Sequence, residues 1–180
     1  VSPSHALELV LTPADDAQVR SRWVALEAAG VASLARHRGS THRPHLTVAS
    51  SPHAPGEQVL AAALELWAPL LPLPLEVSGL VLLGGRRLTI AELVAAPLSA
   101  RRAQAVLAQQ WEGADQRPWV PHVSLTTRLT VDDAGAALSA LADDRWASPP
   151  VGGGRTLTVR GLRWWDPQAQ SVSAVVGAAA

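Results

Sequence analysis

At 180 residues, 48% of them apolar, the chain is long and apolar enough to fold as one unit around a substantial core. Fifteen basic and fifteen acidic residues leave a formal net charge of zero, which disfavours a general duplex binder and favours a small substrate or a nucleic-acid end. Cysteine is absent and every basic residue is Arg, so disulfides, thiolate metal sites, a cysteine nucleophile, Schiff-base lysine chemistry and a P-loop lysine are all excluded.

Lys, Asn, Phe and Tyr, whose codons are AT-rich, are missing altogether, which fits a GC-rich bacterial genome and carries no functional meaning. No run of 18 uncharged apolar residues occurs, so no transmembrane helix is expected. The first residues lack a basic segment followed by an apolar one, so no signal peptide is expected, and the lack of cysteine fits a cytoplasmic location.

In chain order, residues 5–11 alternate loosely and predict a strand. Thr12-Pro13-Ala14-Asp15 is a helix start, with Thr as cap, Pro at the first position and an acid three residues after the cap. Val19, Trp23 and Leu26 then follow helical spacing up to Gly30. Residues 33–38 are a short strand candidate. Arg36 to Arg43 contains no acid and predicts a basic loop able to draw phosphate toward whatever follows it. Residues 45–49 predict a strand. Pro55 opens a second helix with Val59, Leu60, Ala63, Leu64 and Trp67 on its apolar face, and Pro69, Pro72 and Pro74 break it.

Residues 75–83 and 88–94 read as a hairpin around Gly84-Gly85-Arg86-Arg87. Ser99 is the expected cap of a third helix, with Ala103, Val106, Leu107 and Trp111 inward. Residues 120–126 predict another strand. Thr130-Val131-Asp132-Asp133 starts a fourth helix, with Leu138 and Leu141 inward. Residues 149–154 form a Pro/Gly connection, and residues 157–165 and 171–176 are two final strands around Asp166-Pro167. The order β, α, β, α, β, β followed by α, β, α, β, β is an internal duplication in pattern.

One short pattern occurs once in each half. Arg43-Pro44-His45-Leu46-Thr47-Val48 and Val120-Pro121-His122-Val123-Ser124-Leu125 both read Pro, His, apolar, hydroxyl, apolar, 77 positions apart. On a strand, residues i and i+2 share a face about 6.6–6.8 Å apart. His45 with Thr47, and His122 with Ser124, therefore each present an imidazole and a hydroxyl on one face, with apolar residues behind. Proline suits the first position of a strand, where no ladder N–H is needed. Two imidazoles flanking a phosphorus centre can serve as general base and general acid near neutral pH. Two hydroxyls can donate to the non-bridging oxygens where transition-state charge builds, and no metal is required. A lone His-x-Thr/Ser is common by chance; two copies on predicted strands, each preceded by Pro, point to function.

This arrangement resembles the 2H phosphoesterase superfamily, named for two His-x-Thr/Ser motifs, and within it the bacterial 2'-5' RNA ligase-like and RNA 2',3'-cyclic phosphodiesterase proteins, with HRPHLTVA early and WVPHVSLT late. The resemblance covers essentially the whole chain. It implies a single α+β domain over residues 1–180. That domain would have two pseudo-symmetric lobes, each an antiparallel sheet with helices on its outer face, and an active cleft between them. It further implies that His122 activates water while His45 protonates the departing 3' oxygen of a 2',3'-cyclic phosphate, leaving a 2'-phosphate, with Thr47 and Ser124 binding phosphate. The same site could join such ends in reverse.

Two departures stand out. The second hydroxyl is Ser124 rather than Thr, and the arginine that many relatives carry five residues after the second His is replaced by Thr127, with Arg128 following. On a regular strand Arg128 would share the face of His122, and Arg43 the face of His45, so both are substrate-binding candidates. His42 reads as a solvated loop residue, and His5, His37 and His53 carry no expected role. Trp119 should face the core, and one of Trp164 and Trp165 is able to reach the cleft. The expected partner is an RNA end or nucleotide bearing a cyclic phosphate, acted on by a monomer without cofactor, metal or membrane. Another small cyclic phosphate of nucleotide or ADP-ribose type, and non-catalytic binding of such an end, stay open as readings.

Overall fold

The computed structural model describes residues 4–37, 39, 41–142 and 155–177. Its strands are β1 (His5–Leu11), β2 (His45–Ser51), β3 (Leu73–Gly84), β4 (Leu88–Ala95), β5 (His122–Ser124), β6 (Thr156–Asp166) and β7 (Ser171–Val176). The helices are α1 (Pro13–Ala28), α2 (Glu57–Trp67), α3 (Leu98–Gln110) and α4 (Val131–Ala142). The expected residues 149–154 connection lies outside the described residues.

The caps read from sequence form as chemistry requires. Thr12 Oγ1 accepts from the Asp15 amide at 3.3 Å, and Asp15 Oδ2 takes the Thr12 hydroxyl at 2.7 Å and the Thr158 amide at 2.9 Å, tying the start of α1 to β6. α1 ends through Gly30 at φ +81, with Val31 N–H returning to Leu26 O at 2.9 Å. Thr130 and Asp133 cap α4 reciprocally, the Asp133 amide donating to Oγ1 at 3.1 Å and the Thr130 amide to the carboxylate at 3.2 Å.

Several local expectations fail for identifiable reasons. Residues 34–36 form a 3-10 turn instead of a strand, because Ser33 Oγ accepts from Ala35 N–H at 3.1 Å while donating to Trp23 O at 2.6 Å, and the link to the other segment is confined to a Ser33–Thr126 bridge and Leu34 N–H donating to Leu125 O at 3.3 Å. α3 is capped by Pro97 in extended conformation, not by Ser99, which lies inside the helix. Val106 and, on α2, Leu64 are exposed, and it is Ala100, Ala103 and Leu107 on α3 that face the core.

Every strand pairing is antiparallel, in the order β2-β1-β6-β3-β4-β5, with β7 also on β6. The long β6 is the hinge of the architecture. Its first half pairs with β3 and its second half with β7 along the same edge, while β1 runs along the other edge. One lobe is therefore β2, β1, β6 and β7; the other is β3, β4 and β5, joined through β6. α2 and α3 pack together against β7 and β2, and α1 and α4 together against β1 and β4, giving the two-lobed α+β fold. One hydrophobic core runs through both, from Leu7, Leu9 and Leu46 to Trp67, Ile90, Leu107 and Leu125.

Candidate functional site

β2 and β5 stand at opposite ends of the hydrogen-bonded strand path, yet they lie against each other. The closure is made by the segment between α3 and β5, which runs along the open edge of β2. Asp115 N–H donates to Ser50 O at 3.3 Å and Trp119 Nε1 to Thr47 O at 2.8 Å. Gln104 Nε2, from α3, donates to Val48 O at 3.2 Å. On the β5 side, Trp23 Nε1 donates to Ser124 O at 3.0 Å. Edge carbonyls that would otherwise face water or another chain are thus satisfied within the fold, and the two motif strands are held side by side.

Each motif strand buries its apolar residues and leaves its His and hydroxyl half-buried. Leu46, Val48, Val123 and Leu125 are buried, while His45, Thr47, His122 and Ser124 are intermediate. The two imidazoles are anchored alike. His45 Nδ1 lies 2.7 Å from Arg43 O, and His122 Nδ1 lies 2.6 Å from Val120 O. A carbonyl only accepts, so Nδ1 carries the proton in both rings and Nε2 is left for chemistry. Arg43, expected to offer its guanidinium, contributes its carbonyl to orienting His45.

The surroundings of the two rings differ. β1 pairs with β2 so that Glu8 stands opposite Thr47 and Val10 opposite His45. Residues directly opposite share a face. A bulge makes this possible: Leu7 pairs with Ala49 and Glu8 with Thr47, so Val48 is the additional residue of β2. Glu8 Oε1 lies 3.4 Å from His45 Nε2, while Oε2 accepts from Arg163 Nε at 2.9 Å and pairs with its Nη2 at 2.9 Å. Arg163, on β6 opposite Glu8, is 2% exposed. Neither residue stood out in the sequence; the signal was the parity of residues 5–11, which puts a lone acid among apolar strand positions.

His42 is not the solvated residue expected. Its ring stacks between Trp23 at 5.1 Å and His37 at 4.1 Å, and its carbonyl accepts from Arg20 Nη2 at 2.9 Å. Burial, followed by the neighbouring His37, His45, Arg20 and Arg163, pushes His42 down to about 4, so it is neutral near pH 7. Arg128 is exposed at φ +59, four residues beyond the end of β5, so the strand parity that gave it the face of His122 does not extend to it. His5 is buried beside Trp164 and Asp166. Trp119 is partly buried against the core, as expected, and Trp165 shares the face of Arg163 and Glu8 by register.

No family model matches the chain, and no curated protein matches it by sequence. Among solved structures, its fold is similar to that of Usb1 from Kluyveromyces marxianus, with a TM-score of 0.57 and 14% identity over 97% of this chain and 98% of that one. The same protein solved with uridine monophosphate gives a TM-score of 0.53 at 15% identity, covering 97% of each chain. At these identities the likeness is one of fold.

Proposed function

We propose that the chain is a 2H-type phosphodiesterase that opens 2',3'-cyclic phosphates at RNA ends or on nucleotides to 2'-phosphates, without a metal, by two-histidine acid–base catalysis. The observation that carries this reading is the duplicated strand motif. Two Pro-His-x-hydroxyl strands lie side by side, each imidazole with Nδ1 committed to the carbonyl two residues earlier and Nε2 left over. In the proposed reaction one Nε2 takes a proton from water as its oxygen attacks phosphorus, and the other gives a proton to the departing ribose oxygen. Thr47 and Ser124 donate to the non-bridging oxygens. Arg43 and Arg128 are the cations to test for phosphate binding. A chain of this fold solved with uridine monophosphate supports a nucleotide as the bound group. By microscopic reversibility the same groups could form a 2'-5' linkage, with hydrolysis dominant in water.

The test is hydrolysis of the four nucleoside 2',3'-cyclic monophosphates and of RNA bearing a terminal cyclic phosphate, with chelator present. Chelator-resistant turnover to a 2'-phosphate, lost in both His45→Ala and His122→Ala, is the expected result. Turnover unaffected by either substitution overturns the reading, and tight binding without turnover from pH 5 to 9 identifies a binding protein instead. Faster turnover of mononucleotides than of RNA would favour a small cyclic phosphate as substrate.

A further inference from the structure

Two imidazoles anchored in the same way do not by themselves say which one is acid and which is base. The groups around them give a structural reason for the assignment that the resemblance implies. In both rings Nδ1 spends its proton on a carbonyl. A neutral ring then has only a lone pair at Nε2. Beside His45 Nε2 stands Glu8 Oε1, a carboxylate oxygen with lone pairs and no proton to offer. Lone pair against lone pair is repulsive; the contact is attractive only when Nε2 also carries a proton. Arg163 Nε donates to the other oxygen of Glu8 and Nη2 lies 2.9 Å from it, which leaves Oε1 for His45.

The other charged or titratable neighbours do not cancel this. His42, in the loop before β2, is held neutral by burial, and Arg20 of α1 is turned to the His42 carbonyl and to Asp16. Arg163 of β6 turns its Nε and Nη2 to Glu8. His122 has no such partner: among the described residues no carboxylate lies within 4.0 Å of its ring nitrogens.

We propose that Glu8, clamped by Arg163, is a positioning residue that orients His45 Nε2 as the proton donor to the departing oxygen, the role the family resemblance implies for this ring, with His122 as the general base. This rests on the phosphodiesterase reading above. A water oxygen bonds to phosphorus and its proton goes to His122 Nε2. The P–O3' bond breaks, and its electron pair takes the Nε2 proton of His45. The products are a 2'-phosphate monoester and a 3'-hydroxyl, with one proton then passing from His122 to solvent and one returning to His45. Glu8 touches neither substrate nor water in this scheme; it acts through His45.

A leaving group that needs no proton separates this role from a structural one. Two substrates are compared: a nucleoside 2',3'-cyclic phosphate, whose departing alkoxide must be protonated, and a 3'-deoxynucleoside 2'-(4-nitrophenyl phosphate), whose nitrophenolate leaves unaided. Glu8→Gln is expected to lower kcat on the cyclic phosphate about 10-fold or more with little change in KM, and to leave the nitrophenyl ester close to wild type. His45→Ala should show the same pattern more strongly, and His122→Ala should lose both substrates. In the His45→Ala background, Glu8→Gln should have no further effect. Should Glu8→Gln unfold because Arg163 is left unpaired, the double variant Glu8→Gln/Arg163→Gln, which puts two neutral amides in contact, carries the same test. Wild-type rates in Glu8→Gln, equal losses on both substrates, or an additive loss on top of His45→Ala would each overturn the proposal while the phosphodiesterase reading stands. No turnover of any substrate by the wild type would instead remove the reading on which it rests.

Discussion

Each motif strand has a buried glutamate on the strand next to it, and each glutamate is held by arginine, but the two point to opposite sides of the sheet. Glu8 on β1 is opposite Thr47, two residues after His45, and so shares the imidazole's face. Glu92 on β4 is opposite Val123, one residue after His122, and so lies behind the strand with the core. There it is fully buried and bound by Arg22 of α1 and by Arg155 just before β6. One step of register separates a carboxylate beside an imidazole from one that braces the fold. Similar pairs of side chains acquire different uses because cross-strand neighbours share a face and adjacent residues do not.

The largest effects are expected at the histidines. His45→Ala and His122→Ala should each lower kcat on a cyclic phosphate by about 10³-fold, roughly 4 kcal/mol, with the double variant little worse than either, since a paired acid and base act as a unit. Steady-state kinetics on the three proteins checks this, and independent, additive losses would speak against a shared site.

Next in size is Glu92→Gln. Leaving two arginines beside an uncharged amide should destabilise the fold by about 3 kcal/mol in urea unfolding, while the protein that stays folded keeps its kcat within a few-fold. A catalytic loss like that expected for Glu8→Gln would erase the distinction between the two glutamates. Thr47→Val and Ser124→Ala should each cost 10- to 100-fold in kcat, about 1.4–2.7 kcal/mol, if both hydroxyls donate to transition-state oxygens; a loss confined to KM would make them ground-state binders.

Smaller effects probe what holds β2 and β5 together. His42, pushed down to about 4 in the fold, stays neutral there, while in the unfolded chain it takes a proton below about 6.5. Between those values the unfolded state binds more protons, so stability rises with pH and is lost as pH falls through this window. The wild type should lose roughly 1 kcal/mol more than His42→Gln on acidification from pH 7 to pH 4.5, read from urea midpoints at each pH. Trp119→Phe removes the indole bond to Thr47 O and should cost about 1 kcal/mol, with a drop in kcat that reports loosening between the strands.

Much of the molecule was legible beforehand because it depends on near neighbours in the chain. The Thr12 and Thr130 caps, the Gly30 helix end, the 84–87 hairpin and the inward set Val19, Trp23 and Leu26 all rest on interactions spanning a few residues. Local chemistry also misled where a side chain had two options: Ser33 reads as a strand residue until its hydroxyl is seen capping a turn. His42 reads as solvated because nothing nearby in sequence announces Trp23, nineteen positions earlier, as its stacking partner.

The two Pro-His-x-hydroxyl strands, the alternation that puts each hydroxyl beside its histidine, and the duplicated order of elements follow from local chemistry, since strand parity and capping are properties of residues a few positions apart. Packing settles the rest: that the two ends of the strand path meet, that a bulge at Val48 sets Glu8 rather than an apolar residue beside His45, and that Glu92 turns inward. Register between strands is a long-range choice, made by the whole core as it packs, and one residue of slip exchanges the two faces of a strand.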